Sequence, residues 1–198
     1  STPSTQDGVL RPAFWLAGVG LLFVLGYRWT NARAAHETLH YVALPWDAAV
    51  PFWPWTIAPY LSLNLLLPLA FFTLRTPSAL DAFGRRVVAV MLTCFAVFWC
   101  WPTGNIHALP HANWPWQALF NALREFEHPV NQLPSLHIAI LALVWRALDG
   151  AVPRKARLPL AGMCGLIGLS TLTTWQHGLA DVACGAALGA LACWRLPR

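Results

Sequence analysis

The stretch VVAVMLTCFAVFWCWPTGNI, residues 87–106, decides the fold class, because it contains no acidic or basic side chain. A helix needs about 20 mostly apolar residues to cross the hydrocarbon core of a bilayer. We therefore predict an all-α fold, a bundle of six transmembrane helices that forms a single domain over residues 1–198. The other five apolar runs lie at 12–27, 48–74, 129–145, 158–175 and 177–194.

The composition favours a membrane protein over a soluble helical bundle. Hydrophobic residues make up 57% of the chain and charged residues 11%, whereas charged residues make up about 25% of an average soluble domain. The chain also has 12 tryptophans, a residue type that is enriched at membrane interfaces. All five cysteines lie in apolar runs without C-x-x-C spacing, which argues against a disulfide framework.

Small residues predict which spans pack closely. Gly162, Gly165 and Gly168 lie in the fifth apolar run, and Gly185 and Gly189 lie in the sixth. Because small residues let the backbones of membrane helices approach each other, we expect these two spans to be in close contact.

The basic residues predict the orientation of the bundle. With six spans, ten basic residues fall on the side that holds both termini and three fall on the other side. Cytoplasmic loops are usually the richer in Lys and Arg, so we expect cytoplasmic termini in a multi-pass protein of the bacterial inner (plasma) membrane. This asymmetry accounts for the net charge of +5 without a nucleic-acid partner. The ten are Arg11, Arg75, Arg85, Arg86, Arg146, Arg154, Lys155, Arg157, Arg195 and Arg198, and the three are Arg28, Arg33 and Arg124.

All seven histidines are predicted on the non-cytoplasmic side. Histidine titrates near neutral pH and is the usual proton carrier of active sites, so we expect the working face there. The seven are His36, His40, His107, His111, His128, His137 and His177.

The segment HETLH, residues 36–40, fits the zinc-protease pattern H-E-x-x-H, in which two histidines one helical turn apart bind the metal. Membrane proteases of this kind add a distant aspartate, but Asp149 is predicted on the opposite side of the membrane. Asp47 or His107 would then have to supply the third ligand, and a zinc metalloprotease stays a lesser alternative. The competing interpretation is that AAHETLHYVAL, residues 34–44, forms an interfacial amphipathic helix between the first two spans.

Two other stretches form a more informative pair, NQLPSLH at 131–137 and STLTTWQHGLADV at 170–182. His177 and Asp181 are four residues apart, so on a helix the carboxylate can accept the Nδ1–H of the imidazole and leave Nε2 as a nucleophile or base. His137 begins another span at the same depth. One histidine that attacks and one that donates a proton would form an acid–base site.

The combination of Pro134-Ser135-Leu136-His137 with Ser170, His177 and Asp181 resembles the second and third motifs of the type-2 phosphatidic acid phosphatase superfamily, P-S-x-H and S-R-x5-H-x3-D. The motifs cover about twenty residues, and the six predicted spans extend the likeness over most of the chain. The resemblance implies an enzyme without cofactor or metal. In it His177 attacks phosphorus and forms a phosphohistidine, Asp181 orients His177, and His137 protonates the leaving oxygen.

The sequence departs from the family in its basic residues. The first motif, K-x6-R-P, has no match before NQLPSLH, and Thr171 replaces the arginine of the third motif. Phosphoryl transfer depends on neutralising the phosphate oxygens, so other groups must compensate. As substrate-phosphate ligands we predict Ser135, Arg124, Ser170, Thr171, Thr174 and Gln176.

The resemblance implies hydrolysis of a lipid phosphate or a polyprenyl pyrophosphate at the outer membrane face. Lipid head-group transfer is the alternative, because the sequence also resembles inositol phosphorylceramide and sphingomyelin synthases, which lack the full arginine set. A transport or scaffold protein would explain the helices but not the paired histidine motifs. The predicted partner is a lipid phosphate or phospholipid substrate, and the sequence does not define an oligomeric state.

Overall fold

The computed structural model describes residues 5–108, 111–125 and 128–195, and Arg198 lies outside these ranges. The described residues form seven α-helices, two short 3-10 helices (Asp47–Ala49 and Pro54–Thr56) and no strand, which confirms the all-α fold class. Two isolated backbone bridges connect loops. The helices are α1 (Thr5–Ala34), α2 (Ile57–Thr73), α3 (Pro77–Cys100), α4 (Trp116–Arg124), α5 (Leu136–Ala151), α6 (Arg154–Thr173) and α7 (Leu179–Arg195).

Four of these helical segments are long and apolar enough to cross a membrane. α7 is apolar over Leu179–Trp194 but shorter, and α5 has 16 residues. The structure is therefore consistent with a membrane protein. The four segments are Val9–Ala34, Pro54–Thr73, Pro77–Cys100 and Arg154–Thr173.

Local sequence signals set several helix starts. α3 begins at Pro77 behind Thr76, whose hydroxyl accepts the backbone N–H of Ala79 at 3.3 Å. α5 begins behind Ser135, whose hydroxyl accepts the N–H of Ile138 at 3.3 Å. Side chains of this type satisfy N–H groups that the first turn of a helix leaves without a partner.

The bundle has two chemically different ends. The arginine end is where α1, α3 and α6 begin and α2, α5 and α7 end, and it holds Arg11, Arg75, Arg85, Arg86 and Arg146. The histidine end is the opposite one, formed by the other ends of these helices, α4 and the connecting loops. The described residues therefore keep this group of arginines and the histidines apart along the helix axes, whereas Arg28, Arg33 and Arg124 lie toward the histidine end.

The prediction of an interfacial helix between the first two spans is wrong. α1 continues to Ala34, and residues 35–46 contain no helix. The backbone of His40 instead pairs with the loop after α3, where its N–H donates to Pro102 O at 3.0 Å and its carbonyl accepts the N–H of Gly104 at 2.9 Å. These long-range bonds attach the segment to the loop after α3 instead of leaving it free to form a surface helix, which overrides its amphipathic pattern.

The small residues serve a different helix pair from the one predicted. A Cβ on Gly185 would lie 2.4 Å from the carbonyl oxygen of Ser135, and one on Gly189 would lie 2.7 Å from the Cβ of Ala142. Both glycines of α7 thus contact α5. On α6, Gly162 and Gly165 have nothing within 4 Å of a Cβ, and Gly168 faces Leu141 of α5 at an ordinary distance.

We expect Gly185→Ala to destabilise the fold, because its methyl group would overlap a backbone carbonyl that cannot move without shifting α5. Overpacking of this kind costs about 1–3 kcal/mol. Thermal unfolding of the detergent-solubilised protein measures the effect. Gly165→Ala is the matched control and should leave the melting temperature unchanged or slightly raised; equal losses in both variants would contradict the assigned contact.

Candidate active site

The structure brings His137 and His177 to one cavity of about 180 Å³. His137 is the second residue of α5, and His177 lies in the turn between α6 and α7. The two helix starts are joined directly, because the backbone N–H of Ser135 donates to the carbonyl of Asp181 at 3.0 Å. Two distant parts of the sequence therefore contribute one imidazole each to the same space.

His177 lies next to a buried carboxylate. Its Nδ1 is 3.7 Å from Asp181 Oδ2, and the two side chains are 10% and 7% exposed. This separation is too long for a hydrogen bond, and Nδ1 has no other hydrogen-bond partner among the described residues. Asp181 Oδ2 accepts the N–H of Gly178 at 2.8 Å, and the N–H of His177 donates to Thr171 O at 3.0 Å. The last turn of α6 and the first turn of α7 thus fix the imidazole beside the carboxylate.

His137 presents a buried nitrogen that makes no hydrogen bond to the described residues. Its ring stacks on Tyr60 of α2, with centroids 4.1 Å apart and an interplanar angle of 12°. Its Nε2 is buried and has no hydrogen-bond partner in the described part of the chain. Buried polar atoms almost always have a partner, so this nitrogen indicates a place for a ligand atom or a water molecule.

Asp47 is a structural residue of the site that the sequence analysis considered only as a zinc ligand. It is 4% exposed. Its Oδ1 accepts the N–H of Leu179 at 2.8 Å and its Oδ2 accepts the N–H of Leu44 at 2.7 Å. The carboxylate therefore connects the loop before α2 to the start of α7. The signal available in the sequence was its rarity, since the chain has only 8 acidic residues.

His107 and Asn105, from the loop after α3, support the turn that carries His177. Asn105 Nδ2 donates to Trp175 O at 2.9 Å, and the His107 ring stacks on the Trp175 indole at 5.1 Å and 12°. Burial lowers the pKa of His107, whereas the negative charges of Asp47 and Asp181 act to raise it. His107 therefore lies within electrostatic reach of both carboxylates.

The predicted hydroxyl ligands donate hydrogen bonds to carbonyl groups of the helix backbone. Ser170 donates to Ile167 O at 2.6 Å, Thr171 to Gly168 O at 2.8 Å, and Thr174 to Ser170 O at 2.6 Å. All three residues are fully buried, and none lines the cavity. Their hydroxyl hydrogens are thus already used, which leaves backbone support as their observed contribution.

The other predicted ligands have varied positions. Ser135 is buried and caps α5. Gln176 Nε2 reaches Thr174 O at 3.5 Å. Arg124 lies at the end of α4 with its guanidinium 6.0 Å from the Phe120 ring centroid, and it is not among the residues that line the cavity.

Asn131 and two tyrosines were missed as cavity residues. Asn131 has φ 61°, and its Nδ2 donates to Thr30 Oγ1 at 3.0 Å and to Asn31 Oδ1 at 2.6 Å. Its Oδ1 is buried and has no hydrogen-bond partner among the described residues. The stretch NQLPSLH contained this residue, but only its serine and histidine were assigned a role. The tyrosines are Tyr27 and Tyr60.

Apart from Asn64, which was also missed as a cavity residue, the rest of the cavity wall is apolar. Along α1 it extends from Leu16 to Tyr27, which corresponds to about 16 Å at the helical rise of 1.5 Å per residue. The described lining contains no arginine and no lysine. The site therefore combines a polar end that holds two imidazoles with a long hydrocarbon-like slot.

HETLH does not have the geometry of the zinc motif. Its residues lie outside helices, so His36 and His40 are not on successive helical turns. Glu37 pairs with Arg33 at 3.0 Å, and the ring of His40 packs against Trp101. No group of three or more His, Cys, Asp or Glu side chains that could hold a metal ion occurs within the described ranges.

Comparison with protein-family models, with curated proteins and with solved structures gives no match for this chain.

Asp47→Ala should destabilise the start of α7, because it leaves two backbone N–H groups without their charged acceptor. Loss of a buried hydrogen-bond acceptor costs about 1–3 kcal/mol. Thermal unfolding of the purified protein measures the loss. Glu37→Ala removes a partly exposed carboxylate from the same loop and should have little effect; a similar loss in both variants would contradict the role assigned to Asp47.

Proposed function

We propose that this protein is a membrane enzyme that transfers the phosphoryl group of a lipid through a phosphohistidine on His177. One observation carries the proposal. His177, with Asp181 behind its Nδ1, and His137, with a buried Nε2 that has no hydrogen-bond partner among the described residues, line the same cavity, most of whose remaining wall is apolar. This is the residue set expected from the resemblance to the type-2 phosphatidic acid phosphatases.

The first step uses the two imidazoles in opposite roles. Nε2 of His177 attacks the phosphorus, and the bond between phosphorus and the lipid oxygen breaks. Protonated His137 gives its proton to that oxygen, and an anionic phosphate in the cavity favours this protonated form. Asp181 stabilises the positive charge on His177 when the side chains close from 3.7 Å to hydrogen-bond distance. Apo sites commonly show such long separations.

The second step returns the enzyme to its starting state. A water molecule attacks the phosphorus and His137 takes a proton from it. The bond between the phosphorus and Nε2 of His177 breaks, and inorganic phosphate leaves. Hydrolysis of a lipid phosphate or a polyprenyl pyrophosphate is the leading reaction, because water is its only acceptor.

Lipid head-group transfer is the second candidate, and the absence of cations from the described cavity lining favours it. A monophosphate or a pyrophosphate carries several negative charges that fixed cations normally neutralise. A phosphodiester carries one negative charge, which backbone N–H groups at helix starts and a protonated histidine can balance. In this reaction a lipid hydroxyl replaces water in the second step.

The proposed enzyme crosses the membrane six times, with α5 and α7 as its two shorter spans. The arginine end faces the cytoplasm and the histidine end faces the opposite side, since basic residues accumulate on the cytoplasmic side of membrane proteins. The histidine cavity then opens toward the outer leaflet of a plasma membrane.

His177→Ala should reduce turnover of a lipid phosphate by at least about 10³-fold, because the nucleophile is lost. His137→Ala should also slow the reaction strongly, and vanadate should inhibit the wild type. Phosphate release in detergent micelles, with and without an acceptor lipid, measures turnover and distinguishes hydrolysis from transfer. His36→Ala is the control, since His36 lies in the exposed loop. Full activity of His177→Ala, or loss of wild-type activity in chelator that zinc restores, would overturn the mechanism.

The apolar slot of the cavity predicts that KM depends on the length of the lipid chain. Gly20 lines the cavity, and a Cβ there would have nothing within 4 Å. Gly20→Leu should therefore fold but narrow the slot, and raise KM for a long-chain lipid phosphate more than for a short-chain one. Gly18→Leu is the matched control, because Gly18 has the same open surroundings but does not line the cavity. Equal kinetic changes in both variants would contradict a chain-binding slot.

A further inference from the structure

We propose that the arginine end carries a second ligand site, one that binds the phosphate of an anionic phospholipid in the membrane leaflet at that end. It is separate from the histidine cavity and does not depend on the function proposed for it. The site is a cavity of about 370 Å³ between the α2–α3 turn, α3, α5 and the end of α7. We call it the arginine cleft, and its three basic residues are Arg75, Arg86 and Arg146.

The charged side chains in the described lining of the arginine cleft are all positive. Its three arginines come from three separate elements, and its described lining contains no aspartate or glutamate. Like charges that converge on a cavity repel one another, so an anion between them would stabilise the fold. Guanidinium groups also match phosphate oxygens geometrically and bind them in pairs of parallel hydrogen bonds.

The carboxylates near this end are already engaged by other residues. Asp81 accepts hydrogen bonds from Arg11 and from the Trp15 indole N–H, the latter at 2.9 Å. Asp149 pairs with Arg157 at 3.9 Å. Neither aspartate lines the arginine cleft, where Arg75 and Arg146 contribute two exposed guanidinium groups.

The shape of the cleft favours a lipid head group over free phosphate. Along α3 the lining extends from Ala79 to Arg86, a rise of about 10 Å at 1.5 Å per residue, and Arg75 extends it into the turn before the helix. Leu74, Phe83 and Leu143 supply apolar surface within the same cavity. Inorganic phosphate would use only the arginines, whereas a phospholipid would also place its glycerol and first methylene groups on the apolar wall. Basic pockets between membrane helices bind anionic lipid head groups in this way.

The excess of basic residues on the cytoplasmic side of membrane proteins does not by itself explain why three arginines line one cavity. The general rule requires basic residues at the cytoplasmic end but not their convergence on one cavity. Arg154 and Lys155 begin α6 at the same end, are exposed and do not line the cleft. They satisfy the same rule and therefore provide a matched control for charge.

The test compares lipid binding by the full chain in neutral detergent. Thermal unfolding is followed during titration with phosphatidylglycerol, with zwitterionic phosphatidylcholine, or with millimolar inorganic phosphate. Phosphatidylglycerol should raise the melting temperature of the wild type, as any ligand of the native state does, and the other two should not. The double variant Arg75→Gln/Arg146→Gln removes two exposed side chains, and its apparent affinity for phosphatidylglycerol should fall roughly thirtyfold.

The control variant Arg154→Gln/Lys155→Gln loses the same charge from the same end and should keep wild-type affinity. An equal loss in both variants would mean that general surface charge attracts the lipid and would overturn the site. Equal stabilisation by phosphatidylcholine, or full stabilisation by inorganic phosphate, would overturn its assignment to an anionic phospholipid. Turnover at the histidine cavity is a separate readout, so failure of either proposal leaves the other measurable.

Discussion

The contact between the first turns of α5 and α7 is the constraint on which the candidate active site depends. The N–H of Ser135 donates to Asp181 O at 3.0 Å, and Gly185 lies against the Ser135 carbonyl so closely that a methyl group would not fit. His137 is two residues beyond Ser135, and His177 is four residues before Asp181. Fixing these two helix starts therefore fixes the distance between the two imidazoles, although they are forty residues apart in the chain.

Buried carboxylates at the start of α7 give the site its electrostatic character. Asp47 accepts the N–H of Leu179 and Asp181 accepts the N–H of Gly178. The N-terminus of a helix carries a partial positive charge, so it compensates the desolvation of both carboxylates. Their remaining negative potential falls on His177 and His107. In the proposed mechanism Asp181, whose Oδ2 lies 3.7 Å from Nδ1 of His177, would stabilise the positive charge that a phosphohistidine places on that ring.

The sequence predicted the fold class and the convergence of His137 and His177, because both follow from long-range patterns that a helical bundle cannot easily violate. Helices that cross the same bundle in alternating directions bring every second loop to the same end. The sequence did not predict the loop around HETLH, since its backbone pairs with Pro102 and Gly104, more than sixty residues away. The sequence also predicted the wrong neighbouring helix for Gly185 and Gly189, which contact α5. Small residues indicate that a close contact exists but not which helix provides it.

Hydroxyl-bearing residues illustrate a second limit of sequence patterns. Ser170, Thr171 and Thr174 occupy positions where a phosphate site would use donors, yet each donates to a carbonyl in its own helix. In an apolar bundle a hydroxyl without another partner bonds to the backbone one turn earlier, because leaving it unbonded is costly. Spacing alone cannot distinguish this arrangement from a ligand-binding one.

The separation of charge along the bundle constrains any phosphate chemistry at the histidine end. From Arg86 to the end of α3 at Cys100 the helix rises about 21 Å, so the arginine cleft cannot neutralise a phosphate held beside His177. The described cavity lining offers imidazoles, two asparagines, tyrosines and nearby helix N-termini instead of guanidinium groups. Such groups balance one negative charge more readily than two or three. This balance of charge is the physical reason to keep transfer of a phosphodiester head group as the second candidate beside hydrolysis. In the proposed hydrolysis, a more highly charged phosphate would need protonated His137 to balance part of its charge.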